Sequence, residues 1–270
     1  MSGRTRVAAH RGGALLWPEN SLLAFRNALA LGADLLELDI HLTADGALAV
    51  IHDPTLDRTT DGSGPVATRT AAELRRLRLR GPDGALSEER VPMLEEVLTL
   101  LGPARVGLLL EIKGPRPGVA VSWVRRDGAA RPVPGERYDG LEERAAGALR
   151  AASLVDRTTV MSFNPAVLPR MRALLPGLRT ALLVLPTHVD AVAARGEDTI
   201  GWAVDAGATD VGLHHTLVDE RVVAASHAAG LLLGAWTANL QVVMRRLVAL
   251  GVDVLTSDRP DLALAATRAR

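Results

Sequence analysis

Charged and imidazole side chains recur at the ends of short apolar runs in the first half of the sequence. Four clusters carry them, namely His10-Arg11-Gly12-Gly13, Glu37-Leu38-Asp39, His52-Asp53 and Glu111-Ile112-Lys113. Residues two apart in a strand point to the same face, so Glu37 and Asp39 share a face, as do Glu111 and Lys113. Charged groups are rarely buried unless they are paired or bind a metal. The clusters therefore indicate a polar site at the strand ends.

The carboxylates of Glu37, Asp39 and Glu111 would repel one another if they converged. A divalent cation relieves such repulsion, and ligation by oxygen alone favours Mg²⁺ or Ca²⁺ over zinc. The chain has no cysteine, which excludes thiolate ligands and a cysteine nucleophile. Ordinary salt bridges, of Glu111 with Lys113 and of Glu37 with an arginine, are the competing explanation. They account for either pair alone better than for all the clusters together.

His10 and His52 are the candidates for proton transfer, because imidazole titrates near neutral pH. Each stands at the end of an apolar run beside the carboxylates. His41, in the arm of a predicted hairpin, has a weaker claim, as do His188 and His227. His214 and His215 follow another predicted strand and are candidates to line a pocket.

Arg11 and Lys113 supply positive charge of the kind that binds phosphate, arginine as a two-pronged donor and lysine as a point charge. Lys113 is the only lysine among 31 basic residues. Trp236 and Phe163 each close a predicted strand, where they would either wall a small substrate or simply pack. Asn20 is interpreted as a helix cap.

Short apolar runs alternate with helical patterns almost throughout the chain, which predicts parallel strands joined by helices. The predicted strands are Val7–His10, Leu35–His41, Leu48–His52, Val106–Lys113, Thr158–Phe163, Thr180–Val184, Asp210–His214, Leu231–Trp236 and Val252–Thr256. The predicted helices include Ser21–Leu31, Leu94–Leu101, Leu141–Ala152, Asn164–Leu175, Glu220–Ala229 and Leu240–Leu250. This order is typical of a TIM-type (β/α)8 barrel, whose active site lies at the carboxyl ends of its strands.

Nine strands are one too many for that barrel. Asp45-Gly46 between two apolar runs is a strong hairpin signal, so Leu48–His52 is expected to fold back antiparallel on Leu35–His41. Residues 57–92 and 114–140 break the alternation and are predicted to be insertions in a single domain spanning 1–270. The first carries a predicted helix, Ala71–Leu79, with an arginine-rich exposed face. The second, with Trp123, Arg125, Arg126 and Arg131, is a candidate lid.

Composition excludes some partners. The formal net charge is zero, with 31 basic and 31 acidic residues, which argues against nucleic acid or an anionic membrane as a bulk electrostatic partner. No apolar run reaches the roughly 18 residues of a membrane-spanning helix. The first residues lack the pattern of a signal peptide. We therefore expect a cytoplasmic protein that acts on a small molecule; its oligomeric state is left open.

The sequence resembles the glycerophosphodiester phosphodiesterase family over nearly its whole length. The matching segments, in order, are Ala9-His10-Arg11-Gly12, Pro18-Glu19-Asn20-Ser21, Glu37-Leu38-Asp39-Ile40-His41-Leu42-Thr43-Ala44-Asp45-Gly46, Val50-Ile51-His52-Asp53, Leu56-Asp57-Arg58-Thr59-Thr60, Leu110-Glu111-Ile112-Lys113, Trp236-Thr237-Ala238-Asn239 and Thr256-Ser257-Asp258-Arg259-Pro260. Each segment alone is a weak signal, whereas the ordered set is specific.

The resemblance implies metal-dependent hydrolysis of glycerophosphodiesters to glycerol 3-phosphate and an alcohol such as choline or ethanolamine. It implies that Glu37, Asp39 and Glu111 hold Mg²⁺ or Ca²⁺. It further implies that His10 and His52 act as general base and acid, and that Arg11 and Lys113 bind phosphate. Attack by a neighbouring glycerol hydroxyl and attack by water both remain open. Residues 114–140 match no part of the family pattern, so the alcohol group is less constrained than the reaction.

Three alternatives compete with this interpretation. A phospholipase D-like enzyme acting on lysophospholipids or sphingolipids would want an exposed apolar surface or a membrane anchor, and neither is evident. A metal-dependent amidohydrolase on the same barrel would use Asp258, but that class opens with a His-X-His pair, and this chain has His10-Arg11-Gly12. A non-catalytic barrel that binds a phosphorylated ligand would be expected to lack a metal or proton-transfer residue.

Overall fold

A computed structural model describes residues 4–116, 121–126 and 129–268 of the chain. Its strands in chain order are β1 (Arg6–Ala9), β2 (Leu35–Leu42), β3 (Leu48–Val50), β4 (Arg78–Arg80), β5 (Leu86–Arg90), β6 (Gly107–Ile112), β7 (Val121–Arg126), β8 (Ala129–Pro134), β9 (Thr158–Ser162), β10 (Arg179–Val184), β11 (Asp210–His214), β12 (Leu232–Trp236) and β13 (Val254–Ser257).

Eight of these strands form a closed parallel barrel. Its order is β1, β2, β6, β9, β10, β11, β12 and β13, and β1 pairs with both β13 and β2 to close the ring. The predicted (β/α)8 barrel is confirmed. The predicted hairpin is also confirmed, because β3 runs antiparallel to β2 with Ile40 opposite Val50 and Leu42 opposite Leu48.

Ten α-helices connect and cover the strands in the part of the chain that the structure describes. They are α1 (Leu22–Leu31), α2 (Ala71–Leu74), α3 (Leu94–Leu101), α4 (Leu141–Ala151), α5 (Val167–Leu174), α6 (Pro186–Asp190), α7 (Asp198–Asp205), α8 (Glu220–Ala228), α9 (Gln241–Leu250) and α10 (Pro260–Arg268). Single turns of 3-10 helix occupy His10–Gly12, Val66–Thr68, Val155–Arg157 and His215–Leu217. None of the described helices is long and apolar enough to cross a membrane.

The core lies mainly between the outer face of the barrel and its helices. Outward-facing strand residues such as Leu36, Leu110 and Val160 pack against helical side chains such as Phe25 and Leu149, all fully buried. The inward-facing residues form a separate apolar cluster inside the barrel. The helices therefore hold the strands from outside and leave the carboxyl ends of the strands free to carry polar residues.

The first insertion differs in part from the prediction. Helix α2 ends at Leu74, so the predicted helix over Ala71–Leu79 was wrong beyond that residue. Arg78 and Arg80 instead lie on β4, which pairs antiparallel with β5. The reason is the Pro82-Asp83-Gly84 turn, in which Gly84 takes a left-handed φ of 81° and donates its amide to the carbonyl of Gly81.

The second insertion was predicted to be irregular, and that was wrong for Val121–Arg126 and Ala129–Pro134, the strands β7 and β8. β7 and β8 form an antiparallel hairpin with Val121 opposite Pro134 and Val124 opposite Arg131. An ion pair between Arg131 and Asp205 joins the hairpin to α7. The side chains of Trp123, Arg125 and Arg126 lie outside the described part of the structure, and the lid role predicted for this segment stays a prediction.

Candidate active site

The polar site begins in the loop after β1, where the backbone makes a tight turn. His10 starts a 3-10 turn, and Arg11 adopts a left-handed φ of 50°. Gly12 also has a positive φ, and a Cβ at that position would lie 2.7 Å from the Cβ of Ala24. Only glycine fits so close to α1 in this conformation. The turn directs the amide of Arg11 at Glu37, with a distance of 2.8 Å to Oε2.

Strands β2 and β6 bring the carboxylates together. Asp39 pairs directly with Glu111 across the two strands, and Glu37 lies two residues below Asp39 on the same face. One oxygen from each of Glu37, Asp39 and Glu111 lies within 4.8 Å of the others, and all three residues are buried. A buried set of carboxylate oxygens at this spacing fits a hard divalent cation. The structure therefore brings the three carboxylates together, as the sequence predicted.

Lys113 and Arg11 only partly balance this negative charge. Nζ of Lys113 lies 3.0 Å from Oδ1 of Asp39 and 2.6 Å from Oε1 of Glu111. Nε of Arg11 lies 3.5 Å from the other oxygen of Asp39. With three carboxylates and two cations, the cluster carries one uncompensated negative charge when all groups are ionised. That deficit favours an additional cation.

The ionisation of the carboxylates follows from these contacts. Burial raises the pKa of Glu37 well above its usual range, and the neighbouring Asp39 and Glu111 raise it further. Burial would also raise the pKa of Asp39, but Lys113, His52 and Arg11 together hold it well below the ordinary value. Glu37 is thus the carboxylate that gains most from a bound cation.

Each of the two histidines has a carboxylate partner on the same ring nitrogen. Nδ1 of His10 lies 2.6 Å from Oδ1 of Asp258 in the loop after β13. Nδ1 of His52 lies 2.7 Å from Oδ1 of Asp53. A proton held on Nδ1 leaves Nε2 as the nitrogen available for proton transfer. Nε2 of His10 is 3.9 Å from Oε2 of Glu37, so this nitrogen faces the carboxylate cluster.

Arg58, in the first insertion, bridges two parts of the site. Its guanidinium contacts both oxygens of Asp53, with the shorter distance 2.6 Å, and both oxygens of Glu19 at 2.8 Å. Glu19 in turn accepts a hydrogen bond of 3.0 Å from Arg11. A series of ion pairs therefore connects the turn after β1 to His52. It runs from Arg11 through Glu19 and Arg58 to Asp53. Glu19 and Arg58 lie in two of the segments that resemble the family, but the sequence alone gives neither residue a role.

Asn20 is not the helix cap that the sequence suggested. Ser21 caps α1 by accepting the amide of Ala24 at 3.0 Å. Asn20 is buried with a left-handed φ of 57°, and its Nδ2 donates to Oδ2 of Asp39 at 3.0 Å. A buried side-chain amide beside a carboxylate cluster orients that cluster. Asparagine tolerates positive φ better than most residues, so its residue type alone is compatible with this left-handed conformation.

The opposite side of the barrel mouth is aromatic. The ring contacts described there involve only phenylalanine, tryptophan and histidine side chains. The rings of Phe163 and Trp236 meet edge to face with centroids 5.7 Å apart, and Phe163 meets His188 in the same way. His214 contacts Trp236, also at 5.7 Å. Burial lowers the pKa of His188 and His214, so both imidazoles are neutral near pH 7.

The predicted site residues thus divide between two sides of one mouth. The charged side holds His10, Arg11, Glu37, Asp39, His52, Glu111 and Lys113, and the aromatic side holds Phe163 and Trp236; most of them line a single cavity. Of the histidines with weaker claims, His227 lies on α8 and pairs with Asp253 away from the site. His41 is buried and contacts the carbonyl of His52 through Nε2 at 3.0 Å, which supports the hairpin.

Comparison with known families agrees with this arrangement. Residues 10–262 match the model of the glycerophosphoryl diester phosphodiesterase family. The chain belongs to this family. The match begins at His10 and ends just after Asp258, so it includes both histidine–aspartate pairs and all three carboxylates.

Individual relatives cover nearly the whole chain. A glycerophosphodiester phosphodiesterase of Caldanaerobacter subterraneus is 31% identical over 261 residues, which are 96% of each protein. A solved structure from Agrobacterium tumefaciens is 31% identical with a TM-score of 0.83, and 98% of each chain is covered. An Oleispira antarctica phosphodiesterase, solved in complex with its product sn-glycerol-3-phosphate, is 25% identical with a TM-score of 0.74 and 98% coverage of each chain.

Proposed function

We propose that this protein hydrolyses glycerophosphodiesters to sn-glycerol 3-phosphate and an alcohol, with the help of a divalent cation. The observation that carries the proposal is the meeting of three buried carboxylates, two cationic side chains and two histidine–aspartate pairs at one barrel mouth. Hydrolysis of a phosphodiester needs these groups together: charge to bind the phosphoryl oxygens and two sites for proton transfer. The product bound by the Oleispira antarctica relative supports the glycerophosphate half of the substrate.

The proton transfers are assigned to His10 and His52. Asp258 and Asp53 hold the proton of each ring on Nδ1, so that each Nε2 accepts or donates a proton at the site. One histidine takes a proton from the attacking hydroxyl or water, and the other gives a proton to the departing alcohol oxygen. The alcohol therefore leaves as a neutral hydroxyl rather than as an alkoxide, and the phosphate ester keeps its negative charge.

Arg11 and Lys113 would bind the phosphoryl oxygens beside the carboxylates, while Glu37, Asp39 and Glu111 would hold Mg²⁺ or Ca²⁺. When bound, the ion supplies Lewis-acid polarisation of the phosphate. Trp236 and Phe163 would contact the uncharged parts of the substrate from the opposite side. Because these groups come from β1, β2, β6, β9, β12 and the loop after β13, we propose that residues 1–270 act as one catalytic domain.

The test is release of glycerol 3-phosphate from glycerophosphocholine and glycerophosphoethanolamine, with Mg²⁺, Ca²⁺ or EDTA. We expect metal-dependent release that EDTA abolishes. His10→Ala and His52→Ala should each lower kcat by about 10²- to 10⁴-fold, the usual range for loss of a general acid or base. His227→Ala is the matched control, because His227 is also paired with an aspartate but lies on α8.

Three results would each contradict one part of the proposal. Full activity in EDTA, after removal of bound ions, would exclude the cation. Activity retained in both histidine variants would exclude the assigned proton transfers. If neither substrate is cleaved by metal-loaded, folded protein, the substrate assignment is wrong and another phosphodiester must be sought.

A further inference from the structure

The interior of the barrel contains less side-chain volume than its fold usually provides. In (β/α)8 barrels the inward positions are mostly filled by layers of bulky branched residues such as Val, Ile and Leu. Here four inward positions on the strands β1, β10, β11 and β12 are Ala8, Ala181, Gly212 and Gly234. On β11 and β12 the two glycines lie directly opposite each other. Leu183 occupies the space beside Gly212, whereas no atom would lie closer than 3.8 Å to a Cβ on Gly234. The centre of the barrel is therefore only partly filled by side chains.

The open space is continuous with the active site. A cavity of about 680 Å³ reaches from Lys113 and Trp236 at the mouth to Asp210 and Leu232 at the amino ends of their strands. Glycerol 3-phosphate has ten non-hydrogen atoms, and at one water volume per atom it occupies roughly 300 Å³. More than half of the cavity would remain after this product is bound at the charged side.

The walls below the mouth are mostly apolar, although Thr159 and Thr256 also line them. Leu35, Leu109, Met161, Leu183 and Val254 form the inner cluster, and Leu109, Met161 and Val254 keep exposed fractions of 7%, 9% and 7% in the middle of the barrel. Those fractions mean that the side chains border open space. Apolar cavities of this kind hold apolar ligands better than water, because water finds too few hydrogen-bonding partners there.

Two charged residues, Arg6 and Asp210, line the cavity at the amino ends of the strands and limit the depth that an apolar chain can reach. Asp210 at the start of β11 forms an ion pair with Arg179 at the start of β10. From Trp236 to Leu232, β12 descends four residues, which is about 13 Å along the strand and roughly 11 Å along the barrel axis at the usual tilt. An extended chain advances about 1.2 Å per bond. The apolar section therefore has room for about eight or nine carbons in line.

We propose that the barrel interior is a binding site for an unbranched alkyl chain attached to the phosphodiester. The charged side of the mouth holds the phosphate, and the chain extends past Phe163 and Trp236 between the inner leucine, methionine and valine side chains. The alkyl chain is attached either to the departing alcohol or to the glycerol, the latter as in a lysophospholipid. This inference rests on the proposed phosphodiesterase function, whose substrate class it extends.

The first experiment measures affinity without turnover. We would titrate metal-loaded protein with n-alkyl phosphates of increasing chain length, with glycerol 3-phosphate as the reference. The dissociation constant should fall about fourfold per added methylene, the value for complete burial of a CH₂ group. The gain should stop at about eight or nine carbons, where the chain reaches the Arg179–Asp210 pair. Affinity that does not depend on chain length would overturn the proposal.

A filling variant tests the location. A Cβ on Gly234 would meet no atom closer than 3.8 Å, so Gly234→Ala and Gly234→Val add methyl groups to the cavity wall without a clash at Cβ. We expect Gly234→Val to reduce the affinity ratio of octyl phosphate to methyl phosphate at least tenfold, with Gly234→Ala intermediate. Gly147→Val on the exposed face of α4 is the control, because a Cβ there meets no atom within 4 Å and lies far from the cavity. An unchanged ratio in Gly234→Val would place the chain elsewhere and overturn the proposal.

Turnover then separates the two positions of the chain. Glycerophosphoalkanols carry it on the departing alcohol, and 1-acyl lysophosphatidylcholines carry it on the glycerol. In one of the two substrate series, kcat/KM should rise with chain length, and Gly234→Val should abolish that rise. The alkyl chain of that series is the one that occupies the barrel interior. Release of glycerol 3-phosphate from glycerophosphocholine without any chain-length effect would leave the proposed function intact and overturn only this inference. Affinity that rises with chain length, without cleavage of any diester, would contradict the proposed function and leave the alkyl-chain site intact.

Discussion

At the scale of single residues, each candidate proton-transfer group depends on a carboxylate that fixes its ring. Asp53 follows His52 directly in the sequence, whereas Asp258 lies 248 residues from His10 and reaches it only because β13 closes the barrel against β1. Asn239 holds Asp258 in place by donating to Oδ2 at 2.7 Å and by accepting its amide at 3.0 Å. Asp258 is therefore a positioning residue for His10.

Asp258→Asn should lower kcat by about 10²-fold or more while KM changes little. An asparagine amide can present its nitrogen to Nδ1 of His10 and favour the wrong tautomer, and it removes the charge that stabilises the protonated ring. The measurements are kcat and KM over a range of pH, since a misplaced proton also changes the pH profile. Asp261→Asn is the matched control, because Asp261 pairs with Arg259 two residues away in the same segment. Equal losses in both variants would mean that the effect is structural.

The sequence predicts the carboxylate cluster well because strand periodicity places Glu37 and Asp39 on one face, and the predicted barrel brings the end of their strand to the same mouth as Glu111. It does not predict contacts made by side chains across loops. The interpretation of Asn20 as a cap failed because two adjacent residues were both plausible caps, and only the fold shows that Ser21 accepts the helix amide. The pairing of His10 with Asp258 likewise depends on ring closure, which no local pattern contains.

At the scale of elements, the same contrast separates the barrel from its insertions. The barrel strands are short runs rich in apolar residues that alternate with helical segments, so their locations and order could be predicted from the sequence. In the insertions, short segments compete. Thr70 and Glu73 form a capping box that starts α2, and the pairing of β4 with β5 ends it a few residues later. Periodicity over so few residues cannot decide where one element gives way to the next.

Arg58 is the main ionic connection between the first insertion and the site. Arg58→Gln should reduce kcat about tenfold, because Asp53 loses the contacts that hold it against His52, and Glu19 loses its second cation. The hydrogen bond from His52 lowers the pKa of Asp53, and those from Arg58 lower it further. They keep this pKa well below its ordinary value although burial raises it. The free energy of unfolding should change little, since Arg58 is half exposed and exposed ion pairs contribute little.

The control for Arg58 is Arg78→Gln. Arg78 lies in the same insertion and pairs with an aspartate, Asp61, but does not contact the site. Steady-state kinetics and urea unfolding of both variants distinguish the two roles. If Arg78→Gln lowers kcat as much as Arg58→Gln does, the insertion acts through its overall stability rather than through Asp53 and Glu19.

At the scale of the whole molecule, a chain with zero net charge places a buried cluster of three carboxylates at the mouth of its barrel. Burying such charges opposes folding unless a cation joins them. The fold tolerates this arrangement because the apolar clusters outside the barrel are extensive and the acidic cluster is small. The stability of the folded chain should therefore depend on divalent ions, independently of any substrate.

Mg²⁺ or Ca²⁺ at about a hundred times its dissociation constant should stabilise the metal-free protein by about 2.7 kcal/mol. For a chain of this size that corresponds to a rise in Tm of roughly 5 to 10 °C, measured by calorimetry without substrate. Glu37→Gln should abolish the rise, and it should leave the metal-free protein at least as stable as the wild type, because a neutral side chain replaces the carboxylate least compensated by its neighbours. Glu142→Gln is the contrasting variant. Glu142 is also buried, but it pairs with Arg137, so this change should lower the Tm and keep the response to metal. A full metal response in Glu37→Gln would show that the ion binds elsewhere, and the carboxylate cluster would then be a network of ion pairs with Lys113 and Arg11.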